Sequence, residues 1–245
     1  MNESTDVETM RLHADITAYR PFNEQEAADR QVILRALETD PNCFERSAQA
    51  HLACSVWTVD PTFTRTLLVY HNIYDSWSWI GGHADGERDL AAVALRELEE
   101  ETGAHGRLLP CGKSDGATGM AFGAEEHRGF ADGDAAGRTF NAEGRRDLAD
   151  GNARNRPNLV YSLEVLTVDG HEKRGAYVSS HLHLNVTYLA VADPSEPLRM
   201  KPDENSGVRW VPLEDAVRLS TEPWIRDRIY RKLIDKLADV KRPAP

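Results

Sequence analysis

Apolar residues recur at helical spacing through the first 48 positions, and from His51 onward they fall instead into short runs separated by turn residues. Thr5 to Glu8 and Asn23 to Glu26 both fit the capping-box pattern, so residues 5–48 are expected to be helical. The second helix draws on Ala28, Val32 and the run from Leu34 to Leu37, and Pro41 stops it. Leu52 to Val59 and Thr66 to Tyr70 read as two strands around a turn at Asp60 and Pro61. The segment after Gly82 closes as a helix that ends at Thr102 and a C-cap glycine, Gly103. Farther on, Asn158 to Val168 and His181 to Val191 form an expected strand pair, joined by a charged connection that begins with a turn at Asp169 and Gly170. Val208 to Val211 is a last short strand. Pro223 then opens a closing amphipathic helix with Trp224, Ile225, Ile229, Leu233, Ile234 and Leu237 on its apolar face.

Residues 112–157 differ in kind, with nine of the seventeen glycines and almost no bulky apolar residues. A loop this long inside a domain is either functional or disordered, and the segment reads as a flexible insertion or, alternatively, a lid. Strands interleaved with a few helices predict an α/β (α+β) sandwich. The expected division is an N-terminal helical extension over 1–48 and a main domain over 49–240 that carries the insertion.

Composition narrows the partners. With 40 acidic against 29 basic residues, the formal net charge of −11 disfavours a nucleic-acid polymer, and an anionic substrate would need local cations or metal. Cys43, Cys54 and Cys111 lie at no metal-ligand spacing, and their odd number argues for reduced thiols in a cytoplasm. The N-terminus has no apolar h-region, and no stretch approaches the roughly 18 residues of a membrane span. The expectation is a cytoplasmic protein without a membrane partner, with N-terminal helices that could support a homodimer.

The chemistry concentrates at the end of the helix that stops at Gly103, where Glu97, Glu99, Glu100 and Glu101 occupy four of five positions. A helix C-terminus carries roughly half a negative charge, so each acid there costs on the order of 0.3–1 kcal/mol. At 100° per residue, with Glu97 at zero, Glu101 falls at about 40° and Glu100 at about 300°, which puts the three on one narrow face. Glu99 falls outside that face, and Ala91, Leu95 and Leu98 form the opposite, buried stripe. Converging carboxylates suit Mg²⁺ or Mn²⁺, and the competing reading is a solvated acidic face. Gly81 and Gly82 before the helix favour the first, because they permit close backbone approach with a carbonyl free to point at an ion. Arg96 can brace Glu99 and Glu100 at i+3 and i+4.

This segment resembles the Nudix box, G-x5-E-x7-R-E-U-x-E-E-x-G-U with U a bulky apolar residue. Gly82, Arg96, Glu97, Leu98, Glu100, Glu101 and Gly103 fall on its fixed positions, and Ala104 takes the final apolar one. Arg88 stands where the box has its first glutamate, flanked by Glu87 and Asp89. The resemblance implies a mixed sheet between helices over roughly residues 50–240. It also implies a Mg²⁺-dependent hydrolase, Mn²⁺ being a second option, that cleaves a nucleoside diphosphate linked to another moiety. Carried over residue by residue, it makes Glu97, Glu100 and Glu101 metal ligands together with the Gly81 carbonyl, and Arg96 the residue that orients the acids.

The family's general base varies in position and often comes from a later loop, and Glu204 is the choice here, with Asp203 next to it; either can also be a surface acid in a polar turn. His181 and His183 alternate on one strand face and either reach a cleft or pack, and alone they make no zinc site. Lys173 and Arg174 either grip phosphate or form a solvated hairpin tip. Tyr74, Trp77 and Trp79 either stack on a base or pack at the core rim. Two other functions fit less well. A catalytically weakened nucleotide-binding module has Arg88 as its support, but a pure binder gains nothing from crowded acids. An isoprenoid diphosphate isomerase would need a cysteine setting that neither Cys54 nor Cys111 has.

Overall fold

The computed structural model describes residues 3–111, 157–173 and 175–240. Most of the expected insertion, and Arg174, therefore lie outside the described residues. Two helices, α1 (Glu3–Ala18) and α2 (Glu24–Thr39), precede the strands β1 (Ala50–Val59), β2 (Arg65–His71), β3 (Ser76–Ser78) and β4 (Ile80–His83). Helix α3 (Leu90–Thr102) and β5 (Gly106–Leu108) follow, then β6 (Val160–Val168), the hairpin β7 (His171–Lys173) and β8 (Ala176–Val178), and β9 (His181–Ala192). The chain closes with β10 (Asn205–Pro212), α4 (Leu213–Leu219), a π-helical segment Ile225–Tyr230 and α5 (Arg231–Val240).

β1 and β9 pair in parallel along the whole of β1, from Ala50 opposite Leu182 to Val59 opposite Val191. The outer side of β1 is shared by β4 and β2, and that of β9 by β6 and β5, all antiparallel. With β10 and β3 on β2, this makes an eight-stranded mixed sheet. Because side chains alternate, even-numbered positions of β1 and β9 face one layer and odd-numbered positions the other. Leu52, Cys54, Val56, Leu184 and Val186 pack with α3 and with Leu12, Ile16 and Ile33 of the N-terminal helices. Trp57, Val59 and Leu189 pack instead with Ile229, Tyr230, Leu233 and Leu237 of the closing helix. The result is the α/β sandwich that the strand-and-helix pattern predicts.

Several details depart from the sequence expectation. Helix α1 starts at Glu3, so Thr5 lies inside it and not at its cap. At α2 the Asn23 side chain accepts from Glu26 N at 3.0 Å as a cap should. The returning half of the capping box is missing, because the Glu26 carboxylate is buried elsewhere. The loop ahead of the box contains β3 and β4, and the connection after β6 contains the β7–β8 hairpin. Trp224 is 52% exposed and leaves the apolar face, because the π-helical segment rotates what precedes it relative to Ile229, Leu233 and Leu237.

Glu26 instead joins three parts of the chain. It accepts from Phe22 N at 2.7 Å, from Tyr19 OH at 2.6 Å and from Ser162 Oγ on β6 at 2.6 Å. Lys232 and Lys236 of α5 lie 3.2 and 3.0 Å from the same carboxylate. Lys232 also donates to Glu164 at 2.9 Å, and Glu164 in turn accepts from Asn185 and Thr187 on β9. Burial raises the Glu26 pKa, but Lys236, Lys232 and the two hydroxyls outweigh it and hold the group down at about 2.

A folded pKa below the unfolded one makes this stability present above about pH 4.5 and lost as pH falls toward 2. Urea unfolding at pH 7 should show Glu26→Ala destabilised by about 3–5 kcal/mol, since two buried ammonium groups lose their shared partner. The gap between parent and variant should narrow below pH 4.5. A gap that does not change with pH would mean that the carboxylate is not the source.

Candidate active site

The acidic helix is held by sequence features at both ends. Asp89 caps α3 by accepting from Ala92 N at 3.0 Å, and Gly103 ends it with φ 73°, a left-handed conformation suited to glycine. The buried side of α3 is Leu90, Val93, Ala94 and Leu98, with Ala91 and Leu95 only partly covered. Glu101 belongs to that buried side at 3% exposure, so the acids do not lie opposite the apolar stripe as the helical wheel suggests. They lie against β4, and glycine is what makes room. A Cβ on Gly82 would stand 2.6 Å from the Glu97 carboxyl carbon, and one on Gly81 would stand 2.4 Å from the Cys54 carbonyl oxygen. Gly81 N donates to Glu101 Oε1 at 3.3 Å.

Glu204, in the loop before and at the edge of β10, brings a third carboxylate to this place. One oxygen each from Glu97, Glu101 and Glu204 lies within 4.8 Å of the others. Glu100 stands beside this group and not in it: Lys201 donates to Glu100 at 3.1 Å and lies 3.1 Å from Glu204, while Arg96 reaches Glu100 at 3.9 Å. The Arg96 bracing of Glu99 does not appear; Glu99 pairs with His105 at 3.7 Å. Asp203 is exposed and outside the acidic group.

Lys201, Arg199 and Asn205, which are not among the expected site residues, hold the Glu204 loop on the helix end. Buried Asn205 donates to the Glu101 carbonyl at 3.0 Å and accepts from Lys201 N at 3.2 Å. Arg199 N donates to the Thr102 carbonyl at 2.8 Å. These donors satisfy the orphan carbonyls of the helix terminus, and the Lys201 charge offsets the acids placed there. The only sequence signal for Lys201 is its i+3 spacing to Glu204.

Burial pushes the Glu101 carboxyl up to about 8, with Glu97 and Glu204 adding to it, and burial also raises Glu97. The three acids present hard oxygen donors that crowd one another, with Lys201 and Arg96 only partly offsetting their charge, and a bound cation would displace the proton that burial keeps on Glu101. That donor set fits a divalent cation such as Mg²⁺.

Arg88, at the departure from the box, stacks 3.9 Å over the ring of buried Phe44, and its Nε has no hydrogen-bond partner. Arg88 and Arg96 line a cleft of about 470 Å³ with Glu8, Ala84, Asp85, Gly86 and Glu87, on a side of α3 that does not include the acidic trio. The aromatic residues before the box mostly pack. Trp77 lies under Arg209 at 4.2 Å, and Trp79 contacts Tyr230, whose hydroxyl accepts from Trp79 N at 2.9 Å. Tyr74 is exposed against His71. The Lys173 side chain, like Arg174, lies outside what is described.

His181 and His183 do share a strand face, and the fold brings His51 and His83 to them. Burial, followed by the neighbouring imidazoles, lowers His183 to about 2.

Two substitutions separate space for the acids from space for the sheet. Gly82→Ala should leave thermal unfolding within a few degrees of the parent, because the flexible Glu97 end can yield, while divalent-ion binding falls about tenfold or more. Gly81→Ala meets backbone and should lower the unfolding midpoint clearly. Equal metal binding by Gly82→Ala and the parent would show that Glu97 is not needed there.

A NUDIX domain model matches residues 50–139. The chain is similar to the crystal structure of a hydrolase of the NUDIX family from Clostridium perfringens, at 17% identity over 78% of this chain and 98% of that one, with a TM-score of 0.45. It is also similar to a C. elegans Ap4A hydrolase in a binary complex, at 14% identity over 79% of this chain and 97% of the other, TM-score 0.38. A third likeness is to the E. coli dihydroneopterin triphosphate pyrophosphohydrolase, at 11% identity over 78% and 99%, TM-score 0.44. The curated proteins give no match. The residues that the NUDIX domain model matches include the end of β4, the turn after it and α3.

Proposed function

We propose that the protein is a Mg²⁺-dependent Nudix hydrolase that cleaves the diphosphate linkage of a nucleoside diphosphate joined to another moiety. The observation that carries this reading is the meeting of Glu97, Glu101 and Glu204 on one spot, from two separate parts of the chain. Bound there, a divalent ion would neutralise diphosphate oxygens and make water a better nucleophile. Glu97 and Glu101 would hold it with the Gly81 carbonyl, and the Gly81 N–H fixes the Glu101 carboxylate in place. Glu204 takes the proton from the attacking water, and its ion pair with Lys201 keeps it turned toward Glu97 and Glu101. Glu100 contributes through Lys201 and Arg96, which hold its charge next to the site. Lys201, 3.1 Å from Glu204, can meet a leaving phosphate.

The proposed organisation is a helical extension over 1–48 and a Nudix hydrolase domain over 49–240, with 112–157 as an insertion. No helix among the described residues is long and apolar enough to cross a membrane. A small-molecule substrate in a cytoplasmic setting completes the proposal, with Mn²⁺ as an alternative ion and a homodimer as the assembly. One observation favours a second reading, a weakened nucleotide binder: Arg88 stacked on Phe44 leaves no carboxylate at the first glutamate position of the box.

A panel of sugar nucleotides, dinucleotides, nucleoside triphosphates and coenzyme derivatives, assayed with Mg²⁺ for phosphate release after phosphatase coupling, should show turnover of one class. In that assay Glu204→Gln should lose about 10²–10⁴-fold in kcat with circular dichroism unchanged. Glu97→Gln and Glu101→Gln should lose at least as much and also bind the ion less well. Binding of a nucleotide without any Mg²⁺-dependent turnover would favour the second reading. Full activity in all three variants would refute the assignment of these residues.

A further inference from the structure

The sheet face opposite α3 carries a second cluster that the hydrolase reading does not use. His51 is the second residue of β1, His83 ends β4, and His181 and His183 are the first and third residues of β9. The pairing registers put His51 level with His183, and His83 level with Ala53, so all four side chains fall on the odd face of β1 and β9. Gly82, one residue before His83, faces Glu97 on the other side of the sheet, so this cluster and the acidic trio lie on opposite faces of β4.

From the four residues, one ring nitrogen each lies within 4.8 Å of all the others. Nε2 of His183 is 3.1 Å from Nε2 of His83 and 3.2 Å from Nε2 of His181. Zinc with imidazole nitrogens at about 2.0–2.1 Å has tetrahedral edges of about 3.3 Å, close to both spacings.

The tautomers strengthen the case. His51 Nδ1 lies 2.8 Å from the Ala48 carbonyl, and His181 Nδ1 lies 2.9 Å from the Ser179 carbonyl. A carbonyl only accepts, so each Nδ1 carries the hydrogen, and in the neutral ring each Nε2 is left with a lone pair. A backbone carbonyl behind the far nitrogen is the usual way a protein aims a ligating imidazole. His51 is 1% exposed, and its Nε2 is buried with no hydrogen-bond partner. An unpaired lone pair is unfavourable in such a buried place. The single Nε2 hydrogen that His183 can carry when neutral cannot answer both neighbours.

We propose that His51, His83, His181 and His183 bind a divalent transition metal, with zinc the best match, as a clip separate from the Mg²⁺ site. Nitrogen donors suit such a metal, as the carboxylate trio suits Mg²⁺. The clip ties the starts of β1 and β9, at His51, His181 and His183, to the last residue of β4, the strand that leads into the box.

The test uses the full chain without a histidine tag, stripped with a chelator and then titrated with Zn²⁺ against a chromophoric competitor in excess Mg²⁺. One zinc per chain should bind, and Co²⁺ in its place should give the intense visible bands of tetrahedral coordination. Zinc should also raise the unfolding midpoint. His183→Asn and, as a milder change at the strand end, His181→Asn should weaken zinc by more than the about 10–100-fold that loss of an outer hydrogen-bond partner causes. The Glu97→Gln, Glu101→Gln double variant should keep the zinc, which separates this site from the acidic one. No zinc uptake by the folded parent, or uptake by both histidine variants as tight as the parent's, would reduce the cluster to imidazole packing and overturn the proposal.

Discussion

The parallel pairing of β1 with β9 is the constraint on which the remaining structure rests. Both strands are buried on both faces, and their ten-residue register leaves no freedom to slip without exchanging the two layers. Parallel neighbours also require a crossover, and the box helix is part of the chain that makes it. One face of the pair is apolar and takes α3 with the N-terminal helices. The other changes character along its length, from histidines at the strand starts, through Ser55, Asn185 and Thr187 with Glu164, to Trp57, Val59 and Leu189. A slip by one residue would put Asn185 into the α3 layer and Leu184 among the polar groups.

The local parts of this arrangement are legible in the sequence and the nonlocal parts are not. The core positions of β1, β6 and β9 follow from their apolar runs, and the box helix from its caps and its acids. The direction of the acids relative to the core does not follow, since a helical wheel takes charged residues to be outward. What reverses it is a neighbouring strand, β4, whose two glycines leave space that no propensity records. His181 and His183 are visible as a pair because they are two apart. His51 and His83 join them only through the registers of β1 with β9 and β4, which periodicity cannot supply. Glu26 is similar: as the second half of a capping box it looks local, yet its partners lie on β6 and α5.

Burying charge is costly, and the protein does it in two different ways. In the Glu26 network every carboxylate oxygen has donors, and the lysines of α5 compensate the charge, so the pKa of the acid is held down at about 2. At the end of α3 the compensation is partial: Glu101 receives one backbone N–H, and its pKa rises to about 8. The first environment is complete without anything added, and the second is not. The same contrast separates an ordinary buried histidine from His51, whose Nδ1 is satisfied while its Nε2 is not.

This contrast also bears on where the missing charge must come from. Lysines could have been placed among Glu97, Glu101 and Glu204 as they are around Glu26, and such a site would be steadier but closed to any ion or anionic substrate. Lys201 comes only to the edge, held between Glu100 and Glu204. A chain with net charge −11 has no general attraction for a diphosphate, so on the proposed hydrolase reading affinity for one would have to be created locally by positive charge that arrives with, or just before, the substrate. A helix terminus with excess carboxylates, kept in place by Asn205 and Arg199 through its backbone and not through its acids, leaves the carboxylate oxygens available for that purpose.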